Sequence, residues 1–152
     1  MKKLLLAGAA AVICATGAHA DSPSETAKAR RAFYTLLGFE MAPLAEMAQG
    51  KTAYDAETAR QSAQDMLTLL GYTTADLFAP GTSTSELPGE TRARPALWED
   101  MPGVQEKGKA LHDAVVELDA VAGDGLDALR PAVGKLGGTC KACHDDYRAA
   151  DF

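Results

Sequence analysis

Basic residues, cysteines and long apolar runs are all scarce in this sequence, and each shortage narrows what the chain can be. Its 15 lysines and arginines are outnumbered by 21 aspartates and glutamates, for a formal charge of −6. An acidic surface repels polyanions, which argues against nucleic acid and against anionic membrane surfaces as partners. The one sizeable apolar run, residues 4–15, is too short to span a bilayer. It follows Lys2 and Lys3 and leads to the small-x-small Ala18-His19-Ala20, the layout of a secretory signal peptide. Cys14 does not suit a lipoprotein anchor, because bulky Ile13 stands where such a signal needs a small residue. Cleavage after Ala20 is therefore expected, with residues 1–20 as the leader and 21–152 as a single soluble domain. Losing Lys2 and Lys3 leaves 13 basic residues against the 21 acidic ones, a net charge of −8.

The three cysteines become two once Cys14 departs with the leader. For an exported protein a single disulfide between them is the plain alternative. No stretch alternates apolar and polar residues long enough to claim a strand. Nor is there a nucleophile–base pattern or a substrate-pocket signature, so the sequence does not read as an enzyme.

What the chain does have is Cys140-Lys141-Ala142-Cys143-His144, close to its C-terminus. The spacing is that of a c-type haem attachment site. On a helix, residues three and four apart share a face, so both thiols and the imidazole project together. The thiols can add across the two vinyl groups of one porphyrin while His144 reaches the iron. A thioredoxin-like pair would expect alternating strands and helices around it. A zinc site would need four ligands, and distant His112 is a poor fourth. Covalent haem c uses both thiols and leaves none free. In bacteria this attachment takes place outside the cytoplasmic membrane, which fits export to the periplasm.

Stop signals divide the rest into four helices. The first opens at Ser22-Pro23-Ser24-Glu25, an N-cap, a first-turn proline and a capping-box glutamate, and runs to about Gln49-Gly50. Ala29, Phe33, Leu36, Leu37 and Leu44 mark its apolar face, and Pro43 should bend it. The second runs from Asp55 to Leu70 before Gly71, with Ala59, Ala63, Met66, Leu67 and Leu70 as its stripe. The segment 72–90 is too long for a mere connector, and Leu77, Phe78 and Leu87 should pin it to the core. The third helix is expected from Pro95 to Val121, disturbed at Pro102-Gly103, with Leu111, Val115, Leu118 and Val121 inward. After the Asp124-Gly125 turn the fourth runs from Leu126 to about Ala150. Gly137-Gly138 weaken it by roughly 1 kcal/mol each but permit close approach of porphyrin or a neighbouring helix. The fold class is all-α, an up-down-up-down four-helix bundle.

Only eight residues follow His144, too few to fold over the opposite haem face, so any group there must come from upstream helices. At this point the chain resembles a known family. Gly137-Gly138-Thr139-Cys140-Lys141-Ala142-Cys143-His144-Asp145-Asp146-Tyr147-Arg148 is similar to the C-terminal signature of the cytochromes c′. Leu77-Phe78-Ala79-Pro80-Gly81-Thr82-Ser83, Ala96-Leu97-Trp98-Glu99 and Arg30-Arg31-Ala32-Phe33-Tyr34 followed by Leu37-Gly38 extend the likeness over essentially the whole mature chain.

The resemblance implies haem c held by Cys140 and Cys143 with His144 as axial ligand. It implies that Arg30, Arg31, Thr91 and Arg92 line the haem, that Tyr34 is a bulky non-coordinating side chain over the open iron face, and that Arg148 lies near the proximal histidine. It further implies five-coordinate, high-spin iron that takes nitric oxide and carbon monoxide, and a homodimer formed through the first two helices. The residue chemistry is compatible. Arg30 and Tyr34 are i and i+4 on one face, and a guanidinium suits a haem propionate. Arg31 reads equally as part of a solvated face, Arg148 as a cation favoured in a helix's last turn, and Trp98 as core packing.

Two functions are open at this stage. In one, the protein binds small gases, above all nitric oxide, and protects against it or carries it. In the other, a sixth ligand makes it a periplasmic one-electron carrier with a redox partner, and the candidates are Met41, Met47, Met66, Met101 and His112. Met41 lies seven residues beyond Tyr34, about 10 Å along the helix, too far to serve if Tyr34 sits over the iron. The remaining methionines suit gap-filling, and His112 suits the surface.

Overall fold

A computed structural model describes residues 22–152. The expected signal peptide and the expected cleavage after Ala20 lie outside the described residues. The helices are α1 (Pro23–Ala48), α2 (Ala56–Leu70), a short α3 (Ala96–Glu99), α4 (Met101–Val121) and α5 (Leu126–Tyr147), with a 3-10 turn at Ala75–Phe78. The long helices α1, α2, α4 and α5 pack in cyclic order, each against two neighbours. Their directions alternate. The start of α2 lies beside the end of α4, where Arg60 donates to the Gly123 carbonyl at 3.3 Å. The end of α1 lies beside the start of α5, where Arg130 Nε donates to the Ala48 carbonyl at 3.0 Å. The result is the expected up-down-up-down bundle.

The helix starts follow from capping. Ser22 Oγ accepts from the Glu25 N–H at 3.3 Å, and Asp55 Oδ1 accepts from the Thr58 N–H at 2.7 Å. Each satisfies an orphan donor of the first turn. Glu25 itself leans towards Lys28, 3.7 Å away, instead of returning to the cap. The core is filled by Leu44, Val115, Leu118, Leu129 and Leu136, all without accessible surface, together with Ala59 and Ala63. At about 25 cal/mol per Å² of apolar area, each large side chain so buried contributes roughly 1.5–3 kcal/mol.

Three expectations are corrected in detail. On α1 the inward stripe is Arg30, Phe33, Leu37, Leu44 and Met47, while Ala29 is exposed and Leu36 is 52% exposed. With apolar residues at 36 and 37 side by side, the helical period allows either register, and packing against α2 and α5 selects Leu37. The third helix is two pieces. Asp100 leaves helical geometry and its carboxylate caps the new start by accepting from the Gly103 N–H at 3.1 Å. The last helix ends at Tyr147, not near Ala150. Arg94 N–H donates to the Tyr147 carbonyl at 2.9 Å and Ala149 N–H to the Arg92 carbonyl at 2.7 Å. This short antiparallel bridge between Ala93 and Arg148 pulls the chain out of the helix.

Candidate haem site

The motif lies on the last two turns of α5, with Cys140 and Cys143 half-buried and both thiols free. Neither is in a disulfide, so that alternative falls away. Among the described residues no three His, Cys, Asp or Glu side chains gather into a metal-binding group, so the zinc reading has no ligand set either. Burial pushes both thiols above the usual cysteine range, with the nearby Lys107 ammonium opposing it at Cys143.

Tyr34 faces this pair from α1. Its surface is 42% exposed, yet its hydroxyl is raised to about 12 by burial and then by the neighbouring Cys143, with Arg30 opposing and Cys140 adding to the rise. The ring therefore has a solvated edge and a sheltered hydroxyl. Its other side rests edge-on against Phe33, centroids 5.2 Å apart. Arg30 and Tyr34 share a face of α1, as their spacing predicts.

Arg30 has an occupation that the sequence did not suggest. It is 5% exposed, and Nη1 donates to the Leu77 carbonyl and to Thr82 Oγ1, each at 2.8 Å. Nη2 donates to the Thr82 carbonyl at 2.8 Å and to Thr91 Oγ1 at 3.1 Å. The guanidinium lies over Trp98 and Phe78, 5.4 and 5.8 Å from their centroids. Four of its five N–H donors thus hold the long loop against α1, and the loop frames the site. Thr91 is buried as one of these anchors. Trp98 is half-buried beneath the cation with its Nε1–H on the Phe78 carbonyl at 2.9 Å; it lies beside the main core and not within it.

Arg31 donates to the Glu90 carbonyl at 2.9 Å and Arg92 to those of Ala149 and Ala150. Both guanidiniums also lie over the ring of Phe152, at 4.9 and 5.9 Å. The short C-terminal tail therefore reaches α1, because extended residues advance about 3.3 Å each. Nothing in the sequence singled out Phe152, and Thr82 stood out only as part of the family-like stretch 77–83, with no role assigned to it. Their role follows from contacts made over distances of roughly 50 residues or more along the chain.

His144 is solvent-exposed on one side. Burial, then Arg148 and Arg92, hold its imidazole below the usual histidine range, with Asp145 opposing. That favours the neutral form, the form that ligates metals. The residues fit the chemistry of a covalent haem: two free thiols on one face, an imidazole held towards its neutral form beside them, and the half-exposed ring of Tyr34 opposite. Alongside, a cleft of about 380 Å³ runs between α1 and α5, lined by Met41, Ala45, Val133, Gly134 and Gly137. At Gly137 and Gly138 an added Cβ would meet nothing within 4 Å. The glycines keep room open along α5 and do not serve a close helix contact.

A family profile described as Cytochrome C′ matches residues 25–148. The cytochrome c′ of Cereibacter sphaeroides is 45% identical over 148 residues, covering 97% of this chain and 98% of that protein. A solved cytochrome c′ from Rhodobacter Spheriodes has a TM-score of 0.84 and 45% identity, over 86% of this chain and 99% of its own. A ferrous variant of cytochrome c prime from Alcaligenes xylosoxidans with bound NO has a TM-score of 0.74 at 32% identity, over 86% and 98%. Likeness at this level, running from the first helix through the attachment motif, places the chain in the cytochrome c′ family, non-enzymatic haem proteins whose haem c is held here by Cys140 and Cys143.

Proposed function

We propose that the protein uses His144 as the axial ligand of its haem and leaves the opposite face, beneath Tyr34, open to small diatomic gases, nitric oxide foremost. The observation that carries this reading is that the side chain α1 sets against the thiol pair is Tyr34, a poor ligand when neutral. The methionines and histidine that could close the site are engaged elsewhere. Met47 and Met66 are buried in the core, and Met47 Sδ accepts from the Asp55 N–H at 3.3 Å. Met41 lines the cleft two turns away, Met101 opens α4, and the His112 side chain is 53% exposed. When bound, haem supplies an iron that takes up gaseous ligands; the chain's own residues anchor it, keep the imidazole neutral and crowd the open face. Nitric oxide on a relative's haem supports the choice of gas. In this reading Arg31, Thr91 and Arg92 line the haem edge, Arg148 stands beside the proximal imidazole, and Arg30 acts by holding the loop in place.

Absorption and EPR spectra of the holoprotein, ferric and ferrous, with and without carbon monoxide, test this. High-spin signals with ready carbon monoxide uptake are expected. A low-spin spectrum indifferent to carbon monoxide would overturn the open site and hand the function to periplasmic electron transfer with a redox partner.

We also propose export to the periplasm with cleavage after Ala20, on the layout of residues 2–20, and a homodimer through α1 and α2. Leu36, Phe39 and Tyr72, exposed by 52%, 71% and 60%, support the latter. Among the described residues no helix is long and apolar enough to cross a membrane.

A further inference from the structure

His144 stands three residues before the end of α5, in the stretch where a helix frays because its last carbonyls lack partners within it. An axial ligand on a fraying turn would have no fixed direction. The fold ties this turn to α4. Tyr147, a rigid ring only 6% exposed, donates its hydroxyl to Asp100 Oδ2 at 2.6 Å. Asp100 is itself held, because its other carboxylate oxygen accepts from the Gly103 N–H at 3.1 Å where α4 begins. A Cβ at Gly103 would collide with both partners, so the glycine is what lets them meet.

Other ties to the same turn say less about its direction. Lys107 reaches Asp146 at 3.1 Å through a flexible, partly exposed side chain, and such pairs contribute little. Arg94 holds the Tyr147 and Asp145 carbonyls, which engages the backbone of the turn and none of its side chains. Positions 144 and 147 share a helical face. Anchoring Tyr147 against α4 therefore fixes the rotation at which α5 presents His144.

We infer that Asp100 and Tyr147 are positioning residues for the proximal side of the site, their hydrogen bond setting the direction of His144 towards the iron. The inference rests on the axial role proposed for His144. Groups standing behind a metal ligand fix its orientation, and a functional side chain keeps its geometry through the packing and hydrogen bonds that support it.

Two measurements on the holoprotein test this. One is the iron–imidazole stretching band of the ferrous form by resonance Raman. The other is amide hydrogen exchange at Arg148, whose N–H donates to the His144 carbonyl at 3.1 Å. Tyr147→Phe keeps the ring and removes only the hydroxyl. It should shift and broaden the band and speed Arg148 exchange about tenfold, the loss of a hydrogen bond to a charged group. Asp100→Ala should do the same, while Asp100→Asn, which keeps an oxygen acceptor, should restore part of both. Lys135→Gln breaks the Lys135–Glu117 pair between α5 and α4 farther along the bundle and should leave both readings unchanged. Faster exchange with an unmoved band would make the pair merely structural and overturn the inference, as would an equal response to Lys135→Gln. A wild type without the band, or a band that survives His144→Ala, would remove the axial assignment and this inference with it. A band lost in His144→Ala yet unmoved by Tyr147→Phe would overturn this inference alone.

Discussion

Arg30 shows how a single side chain can be legible in type while one of its roles is visible only in the fold. A cation on the same helical face as Tyr34 suggests a carboxylate partner, and a haem propionate is an obvious one. The structure gives four of its donors to the loop, through Leu77, Thr82 and Thr91. Arg30→Met should therefore cost about 3 kcal/mol of stability, since it leaves buried loop carbonyls without their charged donor. Chemical denaturation of the holoprotein would read this, and a loss under about 0.5 kcal/mol, the level of an ordinary surface change, would refute the anchoring role. Tyr34 carries the complementary prediction. Tyr34→Ala should raise carbon monoxide affinity several-fold by uncrowding the open face; an unchanged association and dissociation rate would place the ring away from the ligand's path.

At the scale of elements, the break between α3 and α4 and the end of α5 are tied to each other. Tyr147 donates its hydroxyl to Asp100 Oδ2 at 2.6 Å, while the Asp100 carboxylate caps α4. Those two hydrogen bonds hold the Asp100 carboxyl below its ordinary range, with Tyr147 the larger cause. Donating that bond also leaves Tyr147 raised to about 12. The signs follow directly. The aspartate's contribution is complete above the ordinary carboxylate range and is lost as pH falls through its lowered pKa. The tyrosine's is complete below about 10 and is lost as pH climbs towards 12. Asp100→Asn should thus flatten the fall in Tm below about pH 4; superimposable wild-type and variant curves would remove this pair from the acid response. The same junction is sterically tight, because a Cβ at Gly103 would stand 2.4 Å from the Tyr147 hydroxyl oxygen. The sequence marked Pro102-Gly103 as a disturbance, but not that the disturbance receives the end of another helix.

At the scale of the whole molecule, apolar surface and charge are both unevenly spread. Phe39 and Leu36 project from α1, with Tyr72 just past the end of α2. Burying a side chain the size of Phe39 in a twofold contact contributes roughly 1.5–3 kcal/mol per copy. If the proposed dimer forms, Phe39→Asp should convert it to a monomer in light scattering at micromolar concentration. A wild-type protein that is already monomeric would end the dimer proposal. Acidic residues dominate the composition, while Arg92, Arg94 and Arg148, in no ion pair among the described residues, converge at the C-terminal end of α5. Net charge therefore says little about what an individual face of the protein attracts.

Periodicity, caps and breakers are local, and they sufficed for the four long helices, for the starts of α1 and α2, and for the haem motif, whose three chemical groups are brought onto one face by helical geometry alone. Which of Leu36 and Leu37 turns inward, where α5 yields to an extended bridge, and what Arg30 holds were decided by tertiary structure. Each depends on hydrogen-bond partners or packing surfaces that lie tens of residues away in the chain. A guanidinium's choice between a cofactor carboxylate and a loop carbonyl is made by whichever acceptor the fold brings within about 3 Å, and sequence spacing does not carry that distance.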